Sequence, residues 1–172
     1  MFQDRYPLAF KLYPYKKSDD QNSDKAVRHP VVVVGGGPVG LATALDLGRQ
    51  GIPVLVLDDH EGIGMGSRAI CFAKRTLEIA DRYGCGEPML NKGVVWKNGR
   101  VFQDDRQVFE FNLLPESGHR NPAFINLQQY YSEEFLANAL EHDHQADMRF
   151  KSKVVALFKK IDMNSLFSIA VV

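Results

Sequence analysis

The sequence has 172 residues, 45% hydrophobic and 24% charged, the make-up of about one ordinary globular domain. Lys plus Arg and Asp plus Glu balance at 21 each, which argues against a charge-driven nucleic-acid or anionic-membrane partner. Cys71 and Cys85 stand in no zinc-type spacing, so no metal site and a reducing, cytoplasmic setting are expected. Asp4 and Arg5 lead into no apolar run, so no signal peptide is expected. The longest apolar stretch, Val31 to Leu45, is broken by glycines and a proline and is too short to span a bilayer. Oligomeric state leaves no trace in these totals.

In chain order, residues 1–29 read as an N-terminal extension. Tyr6, Pro7, Tyr13, Pro14 and Tyr15 precede the polar run KKSDDQNSDK, which reads as loop. The aromatic part is as compatible with packing on the domain as with remaining loop. Residues 30–172 read as one α/β domain. Val31–Val34 predicts a buried parallel strand, and Gly35, Gly37 and Gly40 follow it as a G-x-G-x-x-G turn. Val39 to Gln50 carries Leu41, Ala44, Leu45 and Leu47 at helical spacing, with Gly51 as the stop. Ile52–Leu57 predicts a second strand, ended by Asp58.

The glycine-rich connection EGIGMGSRA comes next. A helix is expected from about Ala69 to Tyr83, with Ile70, Ala73, Leu77 and Ala80 inward and Gly84 at its end. Cys71 falls on the apolar side of that helix, as a small buried hydrophobe. Val94–Phe102 predicts a hairpin turning at Asn98-Gly99, a pair suited to the positive φ angles of a type I′ turn, with Trp96 as packing. Val108–Phe111 reads as a further strand. Leu127–His142 predicts a helix with Phe135, Leu136, Ala139 and Leu140 on its apolar stripe. Met148–Phe150, Val154–Phe158 and Leu166–Val172 read as short strands. The last contains SIAVV, read as an unpaired apolar edge of the kind complete domains avoid, so a truncated domain is expected.

The chemistry concentrates between Val31 and Asp58, where strand, glycine turn, helix, strand and acid follow in the order of a dinucleotide-binding βαβ unit. Gly35 permits the tight turn, Gly37 lets the backbone approach a pyrophosphate, and Gly40 lets the helix sit close on the strand. Pro38 and Val39 lie between them at the helix N-terminus, where free N–H groups favour an anion. Asp58, about 18 residues after Gly40, is placed to accept hydrogen bonds from ribose hydroxyls. Asp58 and the adjoining Asp59 would repel a 2′-phosphate, which disfavours NADP. On this stretch alone, FAD and NAD both remain open.

Two further stretches, GSRAICFAKRTLEIADRYG (Gly66 to Gly84) and FINLQQYYSEEFLANAL (Phe124 to Leu140), resemble the FAD-dependent aromatic-ring hydroxylases. These include p-hydroxybenzoate and phenol hydroxylases, and the likeness is greatest to the 3-(3-hydroxyphenyl)propionate hydroxylase branch. It runs from Pro30 to about Phe158. The resemblance implies a Rossmann-like, glutathione-reductase-type FAD fold, here incomplete and with a small antiparallel hairpin region. It implies that Arg68 reaches the ribose and pyrophosphate region. A cation there is reasonable, because the pyrophosphate carries more negative charge than one helix dipole offsets. It assigns a cofactor amide to Gln129, with Gln128 as the neighbouring alternative, and adenine contact to backbone near Val154. It further implies NAD(P)H as co-substrate and a small aromatic substrate and dioxygen as partners, with the flavin carrying the hard chemistry.

The sequence departs from that family in holding no Asp-Gly or Gly-Asp dipeptide, the motifs that serve the flavin ring end. No catalytic residue is therefore assigned. His119 and Arg120 are the candidates to approach the ring end in a complete enzyme. His142-Asp143-His144 reads as a solvated helix end, since i, i+2 histidines do not share a helical face. His29 and His60 read as loop residues. The leading expectation is the FAD-binding part of an NAD(P)H-dependent aromatic monooxygenase. A catalytically incompetent nucleotide-binding module and the NAD-binding domain of a dehydrogenase are the alternatives.

Overall fold

The computed structural model describes residues 11–23, 27–63, 68–159 and 167–171. In chain order the first elements are β1 (Val31–Val34), α1 (Pro38–Arg49), β2 (Val54–Leu57), β3 (Cys71–Ala73), α2 (Lys74–Arg82), α3 (Gly86–Lys92) and β4 (Val94–Trp96). β5 (Asn98–Gln103), β6 (Arg106–Asn112), β7 (Phe124–Asn126), α4 (Gln129–Glu141), β8 (Ala146–Arg149), β9 (Val154–Lys159) and β10 (Phe167–Val171) follow. The chain divides into two compact units, one of Met1–Met65 with Leu136–Val172 and one of Gly66–Phe135. Among the described residues no helix is long and apolar enough to cross a membrane.

In the first unit β1, β2 and β8 make a parallel sheet in that order. Val31 stands opposite Val54 and Leu57 opposite Arg149. β2 is central and all four of its residues are buried, which is why VLVL is uninterrupted by polar residues. α1 buries Leu41, Ala44, Leu45 and Gly48, a stripe at the expected i, i+3, i+4, i+7 spacing; Leu47 is half-buried. Gly51, at φ 77°, ends the helix as expected. β9 and β10 pair antiparallel, with Val171 opposite Val154. The expected unpaired edge at SIAVV is thus corrected. Its pairing depends on a partner strand, which composition does not reveal.

The extension contributes a strap to this unit. The backbone N–H of Tyr13 donates to the Glu61 carbonyl at 2.8 Å, Leu12 bridges to Gly62, and the Tyr13 ring stacks on Phe150 at 4.2 Å. Lys11 reaches Glu141 at 2.6 Å and Asn138 at 3.0 Å. Part of the polar run closes a 3-10 turn, Asp19–Asn22, instead of staying irregular. Tyr13 therefore packs, while Tyr6 and Pro7 lie outside the described residues.

In the second unit β7 is the centre of an antiparallel sheet, between β3 and β4, and Ile125 stands opposite both Phe72 and Val95. Several expectations are corrected here. The helix expected from Ala69 begins only at Lys74, because residues 71–73 pair with β7 as a strand. Leu77 and Ala80 are buried as expected, but Ile70 and Cys71 are exposed. Tertiary pairing overrode a pattern too short to separate strand from helix. The hairpin also turns elsewhere. β5 pairs with β6 around Asp104, at φ 50°, and Asn98-Gly99 lies inside β5 opposite Asn112 and Phe111. A Cβ on Gly99 would stand 2.1 Å from the Phe111 ring, so this glycine serves a packed ring and not a turn. Trp96 stacks on Phe124 at 5.2 Å and donates its indole N–H to Asn126, as packing. α3 has no counterpart among the expected elements. In α4 the buried positions are Ser132, Glu133, Leu136, Ala137 and Leu140, so the stripe is rotated from Phe135 and Ala139.

Candidate nucleotide site

Three glycines of the turn after β1 are glycine for three different reasons. Gly35 sits at φ 104°, a conformation that L side chains rarely adopt, and its N–H donates to the Leu57 carbonyl at 2.8 Å. At Gly40 a Cβ would stand 2.0 Å from the Gly35 carbonyl oxygen, so only glycine lets α1 approach the turn. Gly37 is unlike both. Its φ is −77° and nothing lies within 4 Å of where its Cβ would be.

Gly37 is also the N-cap of α1, with Pro38 at the start of the helix and no side chain capping the first turn. Pro38 has no N–H to satisfy. The N–H groups of Val39 and Gly40 belong to the first helical turn, which lacks intrahelical partners for its donors. Val39 is 80% exposed, a large apolar residue held at the surface beside this opening. Open space, donors without intrahelical partners and the positive end of a helix dipole coincide at Gly37.

Asp58, at the end of β2, closes the other side. Its Oδ2 accepts the Gly36 N–H at 2.5 Å, and its Oδ1 accepts the His60 backbone N–H at 2.8 Å and contacts His60 Nδ1 at 2.8 Å. The carboxylate thereby ties the glycine turn to the loop after β2. That loop is anchored by the turn between β8 and β9. Lys151 donates to the His60 carbonyl and Ser152 to the Asp58 carbonyl, both at 2.8 Å. Asp59 is half exposed, and His60 Nδ1 lies 3.2 Å from it. Asp58, Asp59 and His60 each place one ligand atom within 4.8 Å of the others. The contacts just described occupy those atoms.

Arg68 and Gln129 lie in the second unit, and the backbone brings their segments together. The Gln129 N–H donates to the Ala69 carbonyl at 3.2 Å, and Leu127 donates to Ile70 at 2.7 Å. Arg68 is exposed. Gln129 opens α4 with its side-chain amide donating to Glu133 at 2.7 Å, while Gln128 is the exposed neighbour. Val154 is half-buried at the start of β9. His119 is exposed, and Arg120 pairs with Asp81 at 3.3 Å. His29 contacts Asp20 at 3.1 Å, and Asp143, between His142 and His144, accepts the Gln145 N–H at 2.9 Å.

The sequence pattern that defines the FAD binding domain family matches residues 28–164. The chain belongs to that family. Para-nitrophenol 4-monooxygenase of Pseudomonas sp. (strain WBC-3) is 45% identical over 65 residues, covering 38% of this chain and 16% of that protein. The crystal structure of p-nitrophenol 4-monooxygenase PnpA from Pseudomonas putida DLL-E4 superposes with a TM-score of 0.70 at 27% identity, over 78% of this chain and 34% of that one. The flavin-dependent monooxygenase PieE, solved in complex with FAD and substrate, superposes with a TM-score of 0.66 at 26% identity, over 78% of this chain and 25% of that one. The chain thus spans about a third or less of each relative's length. The expected resemblance to flavin-dependent aromatic monooxygenases is met.

As a member of the FAD binding domain family, the chain has a mixed α/β fold consistent with those neighbours. Gly36, His60 and the Lys151–Ser152 turn are site residues that sequence reasoning passed over. The run of three glycines was the available signal for Gly36, whose N–H serves Asp58 and whose Cβ would meet the Met148 methyl at 2.5 Å. His60 and Ser152 carried no signal, because their role follows from which loop faces which.

Proposed function

We propose that this chain seats the ADP half of FAD within an NAD(P)H-dependent flavoprotein monooxygenase that hydroxylates a phenolic or related aromatic substrate with dioxygen. The observation that carries the reading is Gly37: neither backbone angle nor packing requires glycine there, and beyond its place as N-cap a close-approaching ligand is what favours glycine. A pyrophosphate at this opening fits. It would be held by backbone at Gly35, Gly37 and Gly40 and by the helix start at Pro38 and Val39. Asp58, with Asp59 beside it, would face the ribose, and its hydrogen bond to Gly36 keeps the carboxylate against the turn. Arg68 and Gln129, in the second unit, are assigned to the same cofactor by the resemblance to the flavin-dependent hydroxylases, as backbone near Val154 is to the adenine. When bound, the flavin supplies the redox and oxygen chemistry, and the protein's part is to bind, orient and shield.

The finer assignments belong to the same proposal: a glutathione-reductase-type arrangement of residues 30–172, and a cytoplasmic setting. The seat of the flavin ring is placed outside these 172 residues, supported by the lack of Asp-Gly and Gly-Asp dipeptides. The chain alone is expected to bind without turning over. Titrating it with FAD, followed by quenching of flavin fluorescence, tests the seat. Absence of saturable binding would remove the reading. A longer chain carrying the ring-end motifs should purify yellow and consume NAD(P)H in the presence of a phenol.

A further inference from the structure

We propose that the strap of residues 11–20 is a positioning element for the nucleotide site, holding the loop that carries Asp58. The inference rests on the FAD reading above. The strap lies before the family match, which begins at residue 28, so family likeness does not account for it. It nevertheless reaches the Asp58 loop from two directions. From one side, Leu12 bridges to Gly62 and the Tyr13 N–H donates to Glu61, in the loop that follows Asp58. A Cβ on Gly62 would stand 2.4 Å from the Lys11 carbonyl oxygen, so this glycine is where the strap backbone passes.

From the other side the strap grips β8. Asp20 accepts from Arg149 Nη1 at 2.7 Å, Ser18 lies 3.0 Å from the same nitrogen, and Tyr13 stacks on Phe150. The Arg149 carbonyl accepts the backbone N–H of Asp58 at 3.0 Å. The residue the strap holds by its side chain therefore holds Asp58 by its backbone. Tyr13 is the joint between the two grips, with its N–H on Glu61 and its ring on Phe150. Residues 58–60 are fixed by the Lys151–Ser152 turn, and residues 61–62 by the strap. Without the strap, residues 61–62 keep only the exposed Glu61–Lys151 ion pair at 3.4 Å, and Asp58 and Asp59 are freer to turn from the ribose.

The test compares wild type, Tyr13→Ala, Tyr13→Phe and Gly62→Ala. ADP and its 2′-phosphorylated analogue are titrated calorimetrically, at a temperature where circular dichroism shows each variant folded. Tyr13→Ala should weaken ADP by about tenfold and narrow the preference for ADP over the 2′-phosphate. Tyr13→Phe, which keeps the stack, should restore both. Gly62→Ala should reproduce the loss by lifting the strap from the loop side, and it decides the matter if Tyr13→Ala does not fold. A change in selectivity separates positioning from plain destabilisation. Wild-type affinity and selectivity in variants whose amide exchange at Tyr13 and Gly62 shows the strap released would overturn the inference alone. No ADP or FAD binding by wild type would overturn the FAD reading and the inference with it.

Discussion

Alanine at Gly40 puts a methyl group 2.0 Å from the Gly35 carbonyl oxygen, whereas alanine at Gly37 meets nothing within 4 Å. The two substitutions should therefore separate folding from binding. Gly40→Ala forces α1 and the turn apart and is expected to cost about 2 kcal/mol of stability, as overpacking does. Gly37→Ala gives up a favoured N-cap residue and should cost about 1 kcal/mol, while weakening FAD by at least about tenfold. Urea denaturation and a flavin titration on the same preparations check both. Equal binding by Gly37→Ala would mean that ligand approach is not why residue 37 is glycine. At this scale the G-x-G-x-x-G spacing was legible in the sequence, because each glycine answers to a local constraint. The division of labour among the glycines was not, since it depends on what stands opposite each missing Cβ.

Among the elements, the strap carries a clear electrostatic signature. Burial opposes the charge on Asp20, but hydrogen bonds from Ser18, Arg149 and His29 and the Arg149 charge outweigh it, and its carboxyl is held well below its ordinary value of 3.8. A depressed folded-state pKa stabilises above the unfolded value and loses that contribution as pH falls through the folded one. Wild type should thus lose stability more steeply than Asp20→Asn below about pH 4, the two curves converging in acid. At pH 7 the variant should be less stable by about 1.5–3 kcal/mol, the range of a hydrogen bond to a charged group. Denaturation midpoints between neutral and strongly acid pH measure this, and parallel curves would contradict it. Composition had left the extension's aromatics open, because Tyr13 meets Phe150, distant in sequence, only in the folded chain. The misplaced hairpin has a similar cause. Asn98-Gly99 suits a tight turn, but the pairing of Val94–Trp96 with β7 draws that segment into another sheet.

For the molecule as a whole, the residues proposed for the cofactor all address its adenosine and pyrophosphate portion. ADP should therefore compete with FAD for this chain, and riboflavin should not. Displacement of bound FAD, followed by recovery of flavin fluorescence, distinguishes the two, and competition by riboflavin would place the ring seat within these residues. The family match over 28–164 is to an FAD binding domain, and the chain spans about a third or less of each relative's length.

By itself the sequence determined the βαβ unit, the glycine turn and the acid at the end of β2. All of these follow from local chemistry: strand and helix periods, glycine conformations, and an acid at a set distance along the chain. Only the tertiary structure decided that residues 71–73 are a strand, that Gly36 and His60 hold Asp58, and that the strap reaches the same loop. Those outcomes depend on segments distant in sequence meeting across sheet and loop, and no local pattern records which of them meet.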